Sequence, residues 1–141
     1  DVAMSGVLGI GYDITKWTDT DKKLAAEKIA KYKEIRSLVQ FGTLYRLVSP
    51  FKENRSALQY VADDHSSAVL FCYNMAEYLK GSIPQTQDAN VLKLRGLDPD
   101  ASYKIPQLNN QVYKGDFLMK VGIAWPVKGT YKSMILQVQR E

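Results

Sequence analysis

The sequence predicts a mainly β fold with one long α-helix, in which a strand–loop–helix segment precedes an antiparallel β-sandwich of Greek-key or meander type. Three observations support this prediction. Residues 18–41 have the apolar spacing of an amphipathic helix, and the sequence after Gly42 changes to short segments of period two. Turn-forming residues separate these segments at near-regular intervals, as in all-β domains. The boundary between the two parts is therefore predicted near Gly42.

Residues 1–14, DVAMSGVLGIGYDI, are typical of the end of a strand that enters a loop, because small apolar residues give way to glycines. A natural N-terminus usually carries polar, loosely held residues. We therefore expect this chain to be a piece of a larger protein. No signal peptide is visible, and no run reaches the roughly 20 apolar residues of a membrane-spanning helix, so no membrane partner is predicted.

The long helix is predicted to start after Thr18 or Thr20, each of which is a plausible N-cap. Asp19 and Asp21 suit the positive end of the helix dipole. Gly42 is expected to end the helix by adopting a positive φ. The apolar stripe of the helix comprises Leu24, Ile29, Tyr32, Ile35, Leu38 and Val39.

The strands that follow are predicted from alternating apolar residues between turn sequences. Residues 98–101, DPDA, are a predicted tight turn. Residues 75–90 show no clear period and are predicted to form an exposed connection. The predicted strands are 43–49, 56–62, 67–74, 91–97, 102–105, 111–115 and 131–139.

The charge pattern argues against a nucleic-acid partner. The formal net charge is +4, but the lysines of residues 16–33 alternate with aspartates and glutamates. Mixed signs of this kind favour a solvated helix face over a nucleic-acid surface. Cys72 is the only cysteine, so no disulfide can form within the chain. Its apolar neighbours favour a core residue over a nucleophile.

Catalytic and metal-binding motifs are weak. One histidine and one cysteine cannot form a usual zinc site, and His65 lies in the turn-like sequence DDHSS. A Ser–His–Asp triad would have to use this turn histidine as its base. Asp63 and Asp64 would point to opposite sides of a strand, and Asp98 and Asp100 flank a proline as in a turn. A turn role is therefore favoured over the paired carboxylates of a glycosidase.

Two further features have both a functional and a structural interpretation. Gly9 and Gly11 supply only the first two glycines of a dinucleotide-binding fingerprint, which makes that function weakly supported. Trp17, Tyr113 and Trp125 would stack on sugar rings if exposed, although aromatic residues in a sandwich more often belong to the core. The residues alone therefore indicate a structural or accessory module without a catalytic constellation.

Several strings nevertheless resemble one enzyme family. AMSGVLG at residues 3–9 resembles its AMSG-x-LG motif, and residues 32–50 resemble YK-x-IR-x-L-x-QFG-x-x-YRL-x-SP. Residues 94–105 and 112–123 resemble the motifs L-x-GLDP-x-A-x-Y and G-x-x-LM-x-x-G. The family is that of the glycoside hydrolase family 36 α-galactosidases. The similarity covers essentially the whole chain in the expected order.

This resemblance implies a C-terminal fragment of such an enzyme. Residues 1–42 would be the last strand (Val2–Ser5), loop and helix of a (β/α)8 barrel, and residues 43–141 the C-terminal β-sandwich domain. The family's catalytic aspartates would lie upstream of Asp1, so no catalytic residue is assigned to this chain. Active sites of such barrels lie at the carboxyl ends of the strands, which places Ser5 and Gly6 near the mouth as substrate-binding candidates.

The resemblance also implies an activity. The parent enzyme would hydrolyse terminal α-galactosides, such as melibiose or raffinose, with retention and without a metal or organic cofactor. Its partners would be the barrel and N-terminal domain of the same enzyme, in a homo-oligomer. The implied location is the bacterial cytoplasm, with the periplasm or secretion as alternatives. By itself the chain is expected to be inactive.

Two hypotheses of different classes therefore stand side by side. The chain is either a non-catalytic piece that stabilises a barrel, or an independent carbohydrate-binding or adaptor β-sandwich module. The first predicts that the apolar stripe of the helix lacks its partner. The second predicts that the chain's own sheet covers that stripe.

Overall fold

The computed structural model describes residues 1–52, 54–75 and 90–141, in which a long helix precedes an antiparallel sheet. The predicted connection at residues 75–90 lies outside the described residues except for its two ends. The helices are α1 (Asp19–Phe41) and α2 (Gly115–Lys120), with short 3-10 helices at Val2–Ser5, Ile14–Lys16 and Pro106–Leu108. The strands are β1 (Thr43–Val48), β2 (Arg55–Val61), β3 (Ser67–Asn74), β4 (Val91–Leu92), β5 (Ser102–Ile105), β6 (Gln111–Lys114), β7 (Ile123–Ala124) and β8 (Ser133–Arg140).

Helix α1 begins and ends where the sequence predicts, but it ends for a different reason. Thr18 is the N-cap, because its hydroxyl accepts from the Asp21 amide at 3.2 Å and the Asp21 carboxylate accepts from the Thr18 amide at 3.2 Å. The expected positive φ at Gly42 is wrong, since its φ is −74°. A Cβ at Gly42 would lie 2.6 Å from the Leu38 carbonyl oxygen and 2.8 Å from that of Val61. Glycine is needed there for close approach.

The main sheet of the described residues has the strand order β1-β2-β3-β8-β5-β6 and is antiparallel throughout. The antiparallel prediction is therefore confirmed. Strands β4 and β7 form a separate two-stranded sheet, so the second layer of the predicted sandwich is small. Helix α2 and strand β7 were not predicted.

The central strands of the sheet are buried on both faces. Alternate residues of β3 point to opposite sides: Leu70 and Cys72 join the larger core, while Val69 and Phe71 pack under α1. The larger core is completed by loop residues, β4, β7 and α2. The side chains of α1 that cover the other face are Tyr32, Ile35 and Val39.

The predicted strand at 91–97 ends after two residues. Beyond β4 the backbone of Arg95 is bound by a buried side chain: the Gln59 amide donates to the Arg95 carbonyl and accepts from its N–H, both at 2.9 Å. One side chain thus takes the place of a neighbouring strand. Gly96 then turns the chain with φ +66°, directly against the hydroxyl of Tyr45.

The strand predicted at Val2–Ser5 is a 3-10 helix instead. A parallel barrel strand needs hydrogen bonds from neighbouring strands, and no described residue pairs with this segment. Its backbone bonds locally, with the Met4 N–H donating to the Asp1 carbonyl at 3.0 Å. The Ser5 hydroxyl likewise donates to the Val2 carbonyl at 2.8 Å.

Candidate functional site

The loop at Ser5 and Gly6 lies against the junction of α1 with the sheet. Met4, the residue before the loop, anchors it at this junction. Met4 is only 2% exposed and packs with Tyr32 and Phe71. The packing of Met4 therefore holds the start of the loop against α1 and the sheet.

Two tyrosines hold the main chain of this loop. The Tyr60 hydroxyl on β2 donates to the Ser5 carbonyl at 2.8 Å, and the Tyr32 hydroxyl on α1 donates to the Gly6 carbonyl at 3.1 Å. The Tyr60 ring packs edge-to-face on Phe71, with 6.3 Å between ring centroids. Burial raises the pKa of Tyr60 above its ordinary value, which is already well above neutral pH.

A cavity of about 440 Å³ opens beside Ser5. On one side Asp1 accepts a 2.8 Å hydrogen bond from the Ser133 hydroxyl and lies 3.6 Å from the Lys28 ammonium. Burial raises the pKa of Tyr73, partly opposed by the nearby Ser5 hydroxyl. The lining residues are Val2, Ser5, Pro50, Ser56, Leu58, Tyr73, Asn74, Met75, Tyr131, Lys132 and Ser133.

The amino-terminal part of the chain carries an exposed apolar surface. Val7 is 82% exposed, Ile14 57% and Leu24 53%. A groove of about 260 Å³ runs between residues 10–17 and the first turns of α1. We call the exposed residues and the groove together the amino-terminal apolar surface. Its residues are Val7, Ile10, Ile14, Trp17, Leu24, Ala25, Ala26 and Ile29.

The histidine and carboxylate candidates take turn roles. His65 lies in the turn before β3 with φ 57°, and its Nδ1 is 2.7 Å from the Gly96 carbonyl oxygen. Asp64 accepts from the amide and hydroxyl of Ser66, which lowers its pKa. Asp98 accepts from the Asp100 amide at 3.0 Å. The turn interpretation is confirmed for these residues.

Cys72 is a core residue, as the sequence predicts, whereas the glycine pair lies in an exposed segment. Cys72 is fully buried, and burial raises the pKa of its thiol to about 12. Gly9 and Gly11 are exposed, and a Cβ at either would meet nothing within 4 Å, so neither makes a close approach. Within the described ranges, no group of three or more histidine, cysteine or acidic side chains could hold a metal ion. No described helix is both long and apolar enough to cross a membrane.

The aromatic candidates are largely occupied by protein contacts. The Trp125 indole N–H donates to the Asn74 side chain at 2.8 Å, and the Arg55 guanidinium lies 4.8 Å from the Trp125 ring centroid. Tyr113 stacks on Phe117 with 5.7 Å between ring centroids. Trp17 is half-buried at the groove of the amino-terminal apolar surface.

The role of Tyr60 was not predicted from the sequence. The available signal was its alternation with Leu58 in β2, which places both side chains on the face under α1. That pattern gives the face but not the acceptor, because the Ser5 carbonyl is 55 residues away in sequence.

Comparisons with known proteins give consistent results. The model of the glycosyl hydrolase family 36 C-terminal domain matches residues 55–138, and the Melibiase model matches residues 1–42. Alpha-galactosidase AgaA of Geobacillus stearothermophilus is 41% identical over 129 residues, which is 92% of this chain and 17% of that protein. Alpha-galactosidase 1 of Pediococcus pentosaceus is 36% identical over 126 residues, 89% of this chain and 16% of that protein.

Solved structures show the same relation. The crystal structure of the GH36 α-galactosidase AgaB from Geobacillus stearothermophilus superposes with a TM-score of 0.83 at 42% identity, covering 99% of this chain and 18% of that one. A variant of AgaA in complex with raffinose superposes with a TM-score of 0.81 at 39% identity, with the same coverage of 99% and 18%. The chain thus spans about a sixth of the length of these relatives.

Proposed function

The chain belongs to glycosyl hydrolase family 36 through its C-terminal domain, and we propose that it is the non-catalytic C-terminal portion of an α-galactosidase. One observation carries the proposal: two family models match successive parts of the chain, and the first match ends at Gly42, the C-cap of α1. The raffinose complex of the AgaA variant supports terminal α-galactosides as the substrate class.

Catalysis is assigned to the preceding part of the enzyme. A retaining glycosidase needs a nucleophile and an acid/base carboxyl about 5 Å apart. In this chain Asp64 and Asp98 are engaged in turns, and Asp98 also lies 3.2 Å from the Arg140 guanidinium. These contacts support a structural role for them. The similarity to family 36 implies that both catalytic aspartates lie upstream of Asp1, and in this proposal the chain alone is inactive.

The chain's role in the whole enzyme is to pack on the barrel and stabilise it. Residues 1–42 belong to the barrel and residues 43–141 to the β domain in this proposal. The exposed side chains of the amino-terminal apolar surface support it, because large exposed apolar patches typically mark an interface. The Ser5–Gly6 loop lies near the mouth of the barrel, and the complete enzyme is a homo-oligomer.

The second candidate, an independent carbohydrate-binding or adaptor module, is favoured by one observation. The carboxyl-terminal half of the α1 stripe, at Tyr32, Ile35 and Val39, packs on the chain's own sheet. Leu24, in the other half, is 53% exposed, which favours the first candidate. Each half of the stripe therefore supports a different candidate.

A pair of assays separates the candidates. We expect the isolated 141-residue chain to leave p-nitrophenyl α-galactoside intact and the complete polypeptide that carries it to hydrolyse this substrate. Calorimetric titration of the isolated chain with melibiose and raffinose should give no heat of binding. Tight saccharide binding by the isolated chain would favour the independent module. Hydrolysis by the isolated chain would contradict the assignment of catalysis upstream.

A further inference from the structure

We infer that Tyr60 and Tyr32 are positioning residues, which fix the main chain at Ser5 and Gly6 and so couple the β domain to the rim of the galactoside pocket. The inference rests on the proposed function, which places this loop near the barrel mouth. The two hydroxyls come from different elements and bond successive carbonyls, at 2.8 Å and 3.1 Å.

The hydrogen bonds act on the backbone itself. Gly6 is exposed, and a Cβ placed on it would meet nothing within 4 Å. Packing around Gly6 therefore does not fix its position. On the side that follows the loop, Val7 is 82% exposed, so it provides little anchoring. Met4 before the loop and Leu8 after it pack on the apolar cluster under α1, and the two tyrosine hydroxyls fix the carbonyls of Ser5 and Gly6 between them.

Both donors are mounted on rigid elements. Tyr60 lies in β2 and is paired with Leu44 of β1 on one side and with Val69 of β3 on the other. Tyr32 is 6% exposed in the part of α1 that packs on the sheet. Groups held in this way place their partners more precisely than groups on loops do. Through Tyr60 the β domain can thus help to set the position of a loop that its own sequence does not contain.

A small displacement of such a loop affects binding. A contact that binds the substrate and the transition state equally well lowers KM without changing kcat, so the loss of such a contact raises KM. Removal of one hydroxyl leaves the other bond in place, so the two single variants should be mild. Removal of both frees the two carbonyls together. The effect should appear in KM, because the proposed function places the loop at the rim of the pocket.

The test uses the complete polypeptide that carries this chain, with Tyr60→Phe, Tyr32→Phe and the double variant. Tyr113→Phe is the matched control, because it removes a bonded hydroxyl from β6 at the far edge of the sheet. We expect the double variant to raise KM for raffinose about tenfold with kcat within about twofold. Misfolding alone would instead lower the active fraction, and with it kcat, at an unchanged KM.

The outcomes are separable. Failure of the unsubstituted polypeptide to hydrolyse α-galactosides would overturn the proposed function. Normal activity of the unsubstituted polypeptide, with an unchanged KM in the double variant, would overturn the positioning role alone. Carbonyl ¹³C shifts measured on the 141-residue chain give a check that needs no activity. Tyr60→Phe should shift Ser5, Tyr32→Phe should shift Gly6, and unmoved shifts would overturn the inference.

Discussion

The two halves of α1 share one amphipathic pattern but have opposite surroundings. In the carboxyl-terminal half, Ile35 is 1% exposed and lies on Val69 and Phe71 of the sheet. In the amino-terminal half, Leu24 is 53% exposed. The sheet therefore covers only the carboxyl-terminal half of the apolar stripe. In our proposal the barrel covers the amino-terminal half.

The largest expected effect is the cost of truncating a stripe residue in each half. Ile35→Ala should lower the free energy of unfolding of the isolated chain by about 2 to 5 kcal/mol, because it leaves a cavity under the sheet. Leu24→Ala should cost no more than about 0.5 kcal/mol in the same urea titration. Equal costs at Leu24 and Ile35 would contradict the difference between the two halves. A larger cost at Leu24 in the complete polypeptide than in the isolated chain would show that the rest of the enzyme covers Leu24.

Glycines give a second contrast. Gly42→Ala should destabilise the chain by about 1 to 3 kcal/mol, because its Cβ would press on the backbone oxygens of Leu38 and Val61. Gly9→Ala meets nothing within 4 Å and should leave the urea midpoint almost unchanged. Equal midpoint shifts for the two variants would show that the junction at Gly42 is less tightly packed than described.

The helix start offers a smaller test. Thr18→Ala should remove the capping box and cost about 1 kcal/mol of helix stability, visible as reduced helical circular dichroism from the amino-terminal half of α1. Thr20→Ala is the control, because Thr20 lies inside the first turn and is exposed. A larger loss of helical signal in Thr20→Ala than in Thr18→Ala would show that Thr20 is the N-cap.

The smallest expected effect concerns pH. Hydrogen bonds from Ser66 lower the pKa of Asp64, and bonds from Thr15 lower that of Asp13 in the same way. A depressed carboxyl pKa contributes stability above the unfolded value of about 4, and this contribution is lost as pH falls through the folded pKa.

Only Asp64 belongs to the turn between two central strands. We therefore expect Asp64→Asn to flatten the decrease of Tm with acid. Asp13→Asn should leave the curve unchanged, because Asp13 lies in an exposed segment outside the sheet. Thermal scans between about pH 6 and pH 2 measure this. Equal flattening by both substitutions would show that residues 13–16 unfold together with the sheet.

The sequence predicts the regular parts of this fold well. The apolar period and Thr18 locate α1, and strands β3 and β5 have the predicted bounds. These features depend on local pattern. The early end of β4 could not be predicted, because it depends on the Gln59 side chain binding the Arg95 backbone across 36 residues. The 3-10 helix at Val2–Ser5 likewise depends on which strands are present to pair with it.

The candidate loop was located only through the resemblance of AMSG to a family motif. Its hydrogen bonds to Tyr32 and Tyr60 depend on tertiary structure, and the sequence pattern around each tyrosine is that of an ordinary aromatic residue packed in a core. Gly42 was correctly placed and wrongly explained, because a close approach of two carbonyls leaves no trace in the local sequence.

Hydrogen exchange of α1, compared between the isolated chain and the complete polypeptide, tests the central claim most directly. We predict that amides of residues 20–29 exchange rapidly in the isolated chain and become protected in the complete polypeptide. Amides of residues 32–39 should be protected in both. Equal protection of residues 20–29 in the two proteins would contradict the claim that the amino-terminal apolar surface docks on the rest of an α-galactosidase.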